Sequence, residues 1–133
     1  MSGGCKVYKE LNSAARSVNQ GPFPHNSGYK CDNDLTPGWY RFTGAAGTQM
    51  ATSCVPEQHC GTGGPGWMTG ELPKVAEGSV NRVVCYHLFG NCCKKKKKIM
   101  VRNCGGYFVY KLQKPPLCKL GYCGSGPGKK KFI

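Results

Sequence analysis

At 133 residues the chain has room for one domain and not comfortably for two. Ten cysteines, twenty glycines and nine prolines leave little apolar material for long helices, which excludes a large core standing without covalent help. Nineteen Lys and Arg against six Asp and Glu give a net charge of +13, and no apolar run approaches the roughly 18 residues needed to span a membrane.

In chain order, Met1 to Gly4 carries no charged-then-apolar export segment, and residues 1–4 are read as the start of a fragment or a cloning remnant. Residues 8–18 predict a short helix, and the proline-rich residues 21–28 a loop. The first strand is Trp39-Tyr40-Arg41-Phe42, entered through Pro37-Gly38. Its alternation sends Trp39 and Arg41 to one face and Tyr40 and Phe42 to the other. Gly44, Gly47 and residues 61–73 read as loops, and residues 80–88 as a second strand containing Cys85. Lys94, Lys95, Lys96, Lys97 and Lys98 follow the vicinal pair Cys92-Cys93. Because successive strand side chains face opposite ways, five lysines in a row would drive ammonium groups into a buried face, so an exposed loop or hairpin tip is expected. Residues 99–102 and 107–112, separated by Gly105-Gly106, predict an antiparallel pair, and residues 124–133 a flexible basic linker. The expected fold is an all-β or β-rich small disulfide-rich domain over residues 5–123, with long loops and at most short helices.

The cysteines are Cys5, Cys31, Cys54, Cys60, Cys85, Cys92, Cys93, Cys104, Cys118 and Cys123, an even set dispersed along the chain. That distribution reads as bridges, and therefore as a secreted protein. Structural zinc needs paired Cys-x₂₋₄-Cys units, whereas Cys118-x₄-Cys123 has no matching partner. Ten cysteines allow roughly nine hundred pairings, and their spacing alone does not choose among them.

No catalytic, metal or cofactor site is expected. Gly61-Thr62-Gly63-Gly64-Pro65-Gly66 has the form of a dinucleotide fingerprint, but it follows Cys60 and contains Pro65 where a strand and a helix should flank it, so it reads as a flexible loop. Asp32, Asn33 and Asp34 are read as turn residues rather than calcium ligands. His25, His59 and His87 have no nucleophile elbow beside them and are read as surface or packing residues. Trp67, with Met68 and Thr69, either pins a glycine-rich loop or stands out as a recognition anchor. Lys94 to Lys98 with Arg102 form either a solvated turn or a grip for sulfates and phosphates. An oxidised protein rarely meets nucleic acid, so acidic glycans are the expected polyanion. The rival class is a free-standing basic effector, a toxin or antimicrobial protein, which the lack of an amphipathic stretch near the lysines disfavours.

Trp39-Tyr40-Arg41-Phe42 after Asp32-x-Asp34-Leu35, then Cys54-Val55-Pro56, Cys60 with Trp67, Glu77-Gly78, Cys92-Cys93, Cys104-Gly105-Gly106-Tyr107-Phe108-Val109-Tyr110 and Pro115-Pro116-x-Cys118-x₄-Cys123 form an ordered set. It resembles the ten-cysteine module of the uromodulin and pancreatic zymogen-granule glycoprotein family from Cys5 to Cys123. The resemblance implies a non-catalytic module of a secreted mosaic glycoprotein, working beside other domains of its parent and presenting a surface to partners such as microbial surface adhesins. It also implies the pairs Cys5 with Cys104, Cys31 with Cys118, Cys54 with Cys92, Cys60 with Cys123 and Cys85 with Cys93. Family members carry their adhesin-capturing glycan on an Asn-Gly-Thr just after the tryptophan. Here that stretch is Trp67-Met68-Thr69-Gly70-Glu71, and none of Asn12, Asn19, Asn26, Asn33, Asn81, Asn91 and Asn103 begins an Asn-x-Ser/Thr. The glycan-decoy activity does not carry over.

Overall fold

A computed structural model describes residues 4–19, 21, 32, 35–116 and 120–126. It is β-rich, with nine strands among the described residues: β1 Lys9–Leu11, β2 Gly38–Phe42, β3 Gln49–Met50, β4 Gly64–Met68, β5 Ser79–Leu88, β6 Asn91–Asn103, β7 Phe108–Leu112, β8 Leu120–Tyr122 and β9 Gly124–Ser125. Seven form one sheet in the order β1-β2-β7-β6-β5-β4-β8, while β3 and β9 pair separately. Single 3-10 turns at Ala14–Arg16, Gly44–Ala46 and Val75–Glu77 are the helical elements among the described residues.

The expected short helix over residues 8–18 resolves into β1 and one 3-10 turn. Its Leu11 pairs in parallel with Phe42 of β2, so tertiary pairing overrides the local preference. Part of the expected loop over residues 61–73 is a strand, β4, whose glycines permit close approach. A Cβ on Gly66 would lie 2.8 Å from the Tyr86 ring and 2.9 Å from the Gly121 carbonyl oxygen. Pro65 is tolerated because it faces Gly121 of β8 while pairing with β5 begins only at Gly66. Gly124 and Ser125, expected to open a linker, instead form β9 with Gln49 and Met50, and residues 127–133 lie outside the described set.

The β6–β7 pair is antiparallel, with Met100 opposite Lys111 and Asn103 opposite Phe108. One face of the sheet builds the core. Tyr40, Phe42, Met68, Val84, Tyr86, Ile99, Val101, Tyr110 and Tyr122 are buried there, joined by Met50 from β3. Phe42 meets Tyr110 edge to face at 5.5 Å, a geometry worth about 0.5–1.5 kcal/mol beyond area burial. Burial pushes the Tyr86, Tyr110 and Tyr122 hydroxyls above the ordinary tyrosine pKa.

Covalent and ionic ties close the body. Cys5–Cys104, Cys54–Cys92, Cys60–Cys123 and Cys85–Cys93 are bonded, four of the five pairs the resemblance implies; Cys31 and Cys118 lie outside the described residues. The buried Asp32 takes both guanidinium nitrogens of Arg16, at 2.6 and 2.8 Å, and the Tyr122 amide at 3.0 Å. This oxygen pair therefore holds the first 3-10 turn to β8. Of the expected Asp32-Asn33-Asp34 cluster, the latter two are outside the described residues.

Candidate functional site

Lys94, Lys95, Lys96, Lys97 and Lys98 lie inside strand β6, not at a loop or hairpin tip. The tip is Phe89-Gly90, where both residues have positive φ and the Glu57 carboxylate accepts from both amides, at 3.2 and 2.8 Å. A strand accommodates the run because β7 pairs with β6 only from Met100 to Asn103. Along the lysines β6 therefore pairs on one side, with β5, through Lys98↔Val83, Lys97↔Val84, Lys96↔Cys85 and Lys95↔Tyr86. Lysines on such an edge are the usual guard against edge-to-edge pairing.

Cross-strand partners share a face, which divides the run. Lys95 and Lys97 stand on the side of the core residues Tyr86 and Val84, and Lys97 is half-buried, its aliphatic stem covering apolar surface. Lys94, Lys96 and Lys98 stand on the opposite, open face, and strand alternation brings Lys111 of β7 to that same face through Met100. Lys98 and Lys111 flank a shallow groove with Asn81, Met100 and Gln113. No carboxylate stands across the strand from any of the five. Among the described residues the ion pairs are Arg16–Asp32 and His87–Glu57. Lys111 was missed in the sequence because its signal, a charged residue alternating with Tyr110 and Leu112, has meaning only once the neighbouring strand is known.

Two bridges brace this arm at its base. Successive residues of a strand face opposite ways, so Cys93 bonds within the hairpin to Cys85 while Cys92 reaches out to Cys54. Trp67, on β4 opposite Cys85, donates its indole N–H to the Cys92 carbonyl at 2.9 Å and packs against the small cluster of Val18, Ala51 and Val55. It pins the chain. Met68 is fully buried, and Thr69 bonds the Val83 carbonyl through both its amide and hydroxyl, at 2.9 and 2.8 Å. As candidate contact residues Met68 and Thr69 are thus corrected to structural ones, because alternation turns Met68 inward. Arg102 is half-buried, four residues beyond Lys98 on the same face.

His87 holds the Val55 carbonyl with Nδ1 at 2.7 Å and has Nε2 3.5 Å from Glu57, while His59 holds the Val18 carbonyl at 2.9 Å. These are packing contacts. His25 lies outside the described residues. Cys54, His87 and Cys92 bring their ligand atoms within 4.8 Å of one another, but both sulfurs are committed to their mutual bond. Residues 61–66 run directly into β4 and no helix starts on them, so the dinucleotide pattern has none of the geometry that gives it meaning. No helix among the described residues is long and apolar enough to cross a membrane.

The family described as the uromodulin-like cysteine-rich domain matches residues 40–124. Over 120 residues, 90% of this chain, the sequence is 44% identical to uromodulin of Rattus norvegicus. Over the same share it is 42% identical to the pancreatic secretory granule membrane major glycoprotein GP2 of Canis lupus familiaris and 38% identical to that of Homo sapiens. The chain spans 18%, 23% and 21% of the length of these three relatives respectively.

Proposed function

The chain belongs to the uromodulin-like domain family, and from that premise we propose that it is a non-catalytic binding module whose contact surface, the lysine strand of β6, takes acidic glycans. The domain is extracellular: its bridges persist only in an oxidising compartment, and its relatives are glycoproteins of the secretory route. In the full-length protein it works beside other domains of its parent.

The observation that carries the reading is the open face bearing Lys94, Lys96, Lys98 and Lys111 with no carboxylate across the strand. Same-face residues on a strand repeat at about 7 Å, so the ammonium groups repel one another and attract any linear polyanion, which gains by releasing its counterions. Lysines act here as point charges, so the binding is salt-sensitive and broad among sulfated and carboxylated chains. Without an Asn-x-Ser/Thr acceptor, any contact with an adhesin runs through protein surface rather than a displayed N-glycan.

The test is retention on immobilised heparin. The protein should elute at elevated salt, and replacement of Lys94 to Lys98 by Gln should bring elution close to that of an uncharged control. Unchanged elution of the substituted protein refutes the site. Dye leakage from anionic vesicles would point instead to a membrane-active effector.

A further inference from the structure

We propose that a cleft at the β6–β7 turn, headed by the Arg41 guanidinium, binds the carboxylate of a small polyhydroxylated molecule, an acidic sugar. The cleft holds about 260 Å³ and is lined by Arg41, Thr48, Gln49, Gly105, Gly106 and Tyr107 among others. It lies at the opposite end of β6 from the lysines, so it stands independently of their role.

Arg41 is held ready for a ligand. Its Nη1 donates to the Tyr8 hydroxyl at 2.9 Å, and its Cζ sits 4.0 Å from the Tyr107 ring centroid and 5.8 Å from that of Tyr8. Tyr107 is itself fixed, donating its hydroxyl to the Cys5 carbonyl beside the Cys5–Cys104 bridge. No carboxylate among the described residues forms an ion pair with Arg41. Glu10, its neighbour in the β1–β2 register, accepts instead from the Thr43 hydroxyl at 3.1 Å. A half-buried guanidinium thus keeps donors of its planar fork for an incoming group, and a carboxylate matches that fork in geometry and charge.

The other walls suit a sugar. The Thr48 hydroxyl and Gln49 amide offer donors and acceptors for ring hydroxyls, and Tyr107 offers a flat apolar edge. Asn103 shapes the floor: its Nδ2 donates to the Pro73 carbonyl at 3.1 Å and its Oδ1 accepts from the Gly105 amide at 2.8 Å. Gly105 has φ +106°, and a Cβ on either Gly105 or Gly106 would meet nothing within 4 Å, so the space above the turn is open. Because these contacts exist before any ligand arrives, little ordering cost is added on binding.

The test titrates the intact, oxidised, ¹⁵N-labelled chain with N-acetylneuraminic acid and with glucuronic acid, using glucose as the neutral control. At least one acid should produce saturable amide shifts at Gln49, Gly105, Gly106 and Tyr107 that glucose does not, and which acid does so identifies the sugar class. Arg41→Gln should weaken binding at least about tenfold, as expected for loss of a charged hydrogen-bond pair. Gly106→Leu, which leaves Arg41 and both tyrosines in place, should block it by filling the cleft, while Gln at Lys94 to Lys98 should leave the shifts unchanged. Equal shifts with glucose, absence of shifts with both acids, or undiminished binding by the Gly106→Leu protein would overturn the assignment.

Discussion

The two faces of β6 can be separated at constant charge. Lys96→Gln/Lys98→Gln and Lys95→Gln/Lys97→Gln each remove two charges from a net +13, but the first pair stands on the open face near Lys111 and the second on the face of Val84 and Tyr86. Each polyanion contact releases counterions and contributes roughly 0.7–0.9 to the slope of log affinity against log salt, taking the nucleic-acid value as a guide. Loss of two direct contacts should lower the slope for heparin by about 1.4–1.8 in the open-face variant. In the other variant only the long-range field weakens, and that field is screened within about 8–10 Å at physiological ionic strength. Its slope should fall by well under about one. Isothermal titration with size-defined heparin fragments at four or five salt concentrations measures both. The open-face variant should be no less thermally stable than the parent at low salt, because it relieves repulsion. Equal slope losses in the two variants would mean that net charge alone attracts the glycan, and the division of the strand into a binding and a structural face would be wrong.

Asp32→Ala leaves the buried Arg16 guanidinium and the Tyr122 amide without their acceptor, and should lower stability by about 3–5 kcal/mol in urea unfolding with disulfides intact. The double variant Arg16→Met/Asp32→Leu should cost less than Asp32→Ala alone; a greater loss would mean that the ion pair is not the tie between the 3-10 turn and β8. Gly66→Ala places a methyl against the Gly121 carbonyl, a backbone atom that cannot swing away, and should cost about 1–3 kcal/mol, read as a lower urea midpoint. Burial raises the folded-state pKa of Tyr86, Tyr110 and Tyr122 above the unfolded value of about 10. Their contribution is thus complete below about pH 10 and falls as pH rises beyond it. Absorbance at 295 nm should show these tyrosines ionising together with loss of near-ultraviolet dichroism, and ionisation of all seven tyrosines before that loss would contradict the burial.

Residues 39–42, 80–88, 99–102 and 107–112 were legible as strands because aromatic and β-branched residues alternate there and turn residues bound them. The lysine run was not, since a strand-forming pattern needs an apolar face and five identical charges show none. What makes β6 a strand at Lys94 to Lys98 is its partner β5, whose Val83, Val84 and Tyr86 carry the β preference for both. β4 was hidden for the converse reason. Gly64, Pro65 and Gly66 have poor strand preference, yet only residues that small let β8 and the Tyr86 ring approach so closely. Asp32 read as a turn residue because its partner, Arg16, is sixteen positions away and their encounter depends on the whole fold. In the candidate site, the charges were visible and their division between two faces was not, since only the register supplies it.

The same register explains how a strand of like charges persists. β7 does not cover β6 along the lysines, so one side of the arm lacks the ladder that holds the rest of the sheet. The missing restraint is replaced by bonds at the base of the arm: Cys85–Cys93 closes the hairpin on itself, Cys54–Cys92 ties it to the segment before β4, and Glu57 holds the Phe89-Gly90 turn from the same segment. Covalent bonds are indifferent to charge, whereas a core-packed strand would have required apolar residues where Lys95 and Lys97 now stand. The disulfides thereby free the side-chain positions of β6 from the work of folding, and an extracellular domain can then place cations along them for a polyanion. Reduction of Cys54–Cys92 and Cys85–Cys93 should accordingly loosen the lysine arm before the Tyr110 core opens. Hydrogen exchange should register this as early loss of protection at Lys95 to Lys98, with Tyr110 and Leu112 still protected. Simultaneous loss at both places would show that the arm and the core are one cooperative unit, and that the bridges do not act on the arm in particular.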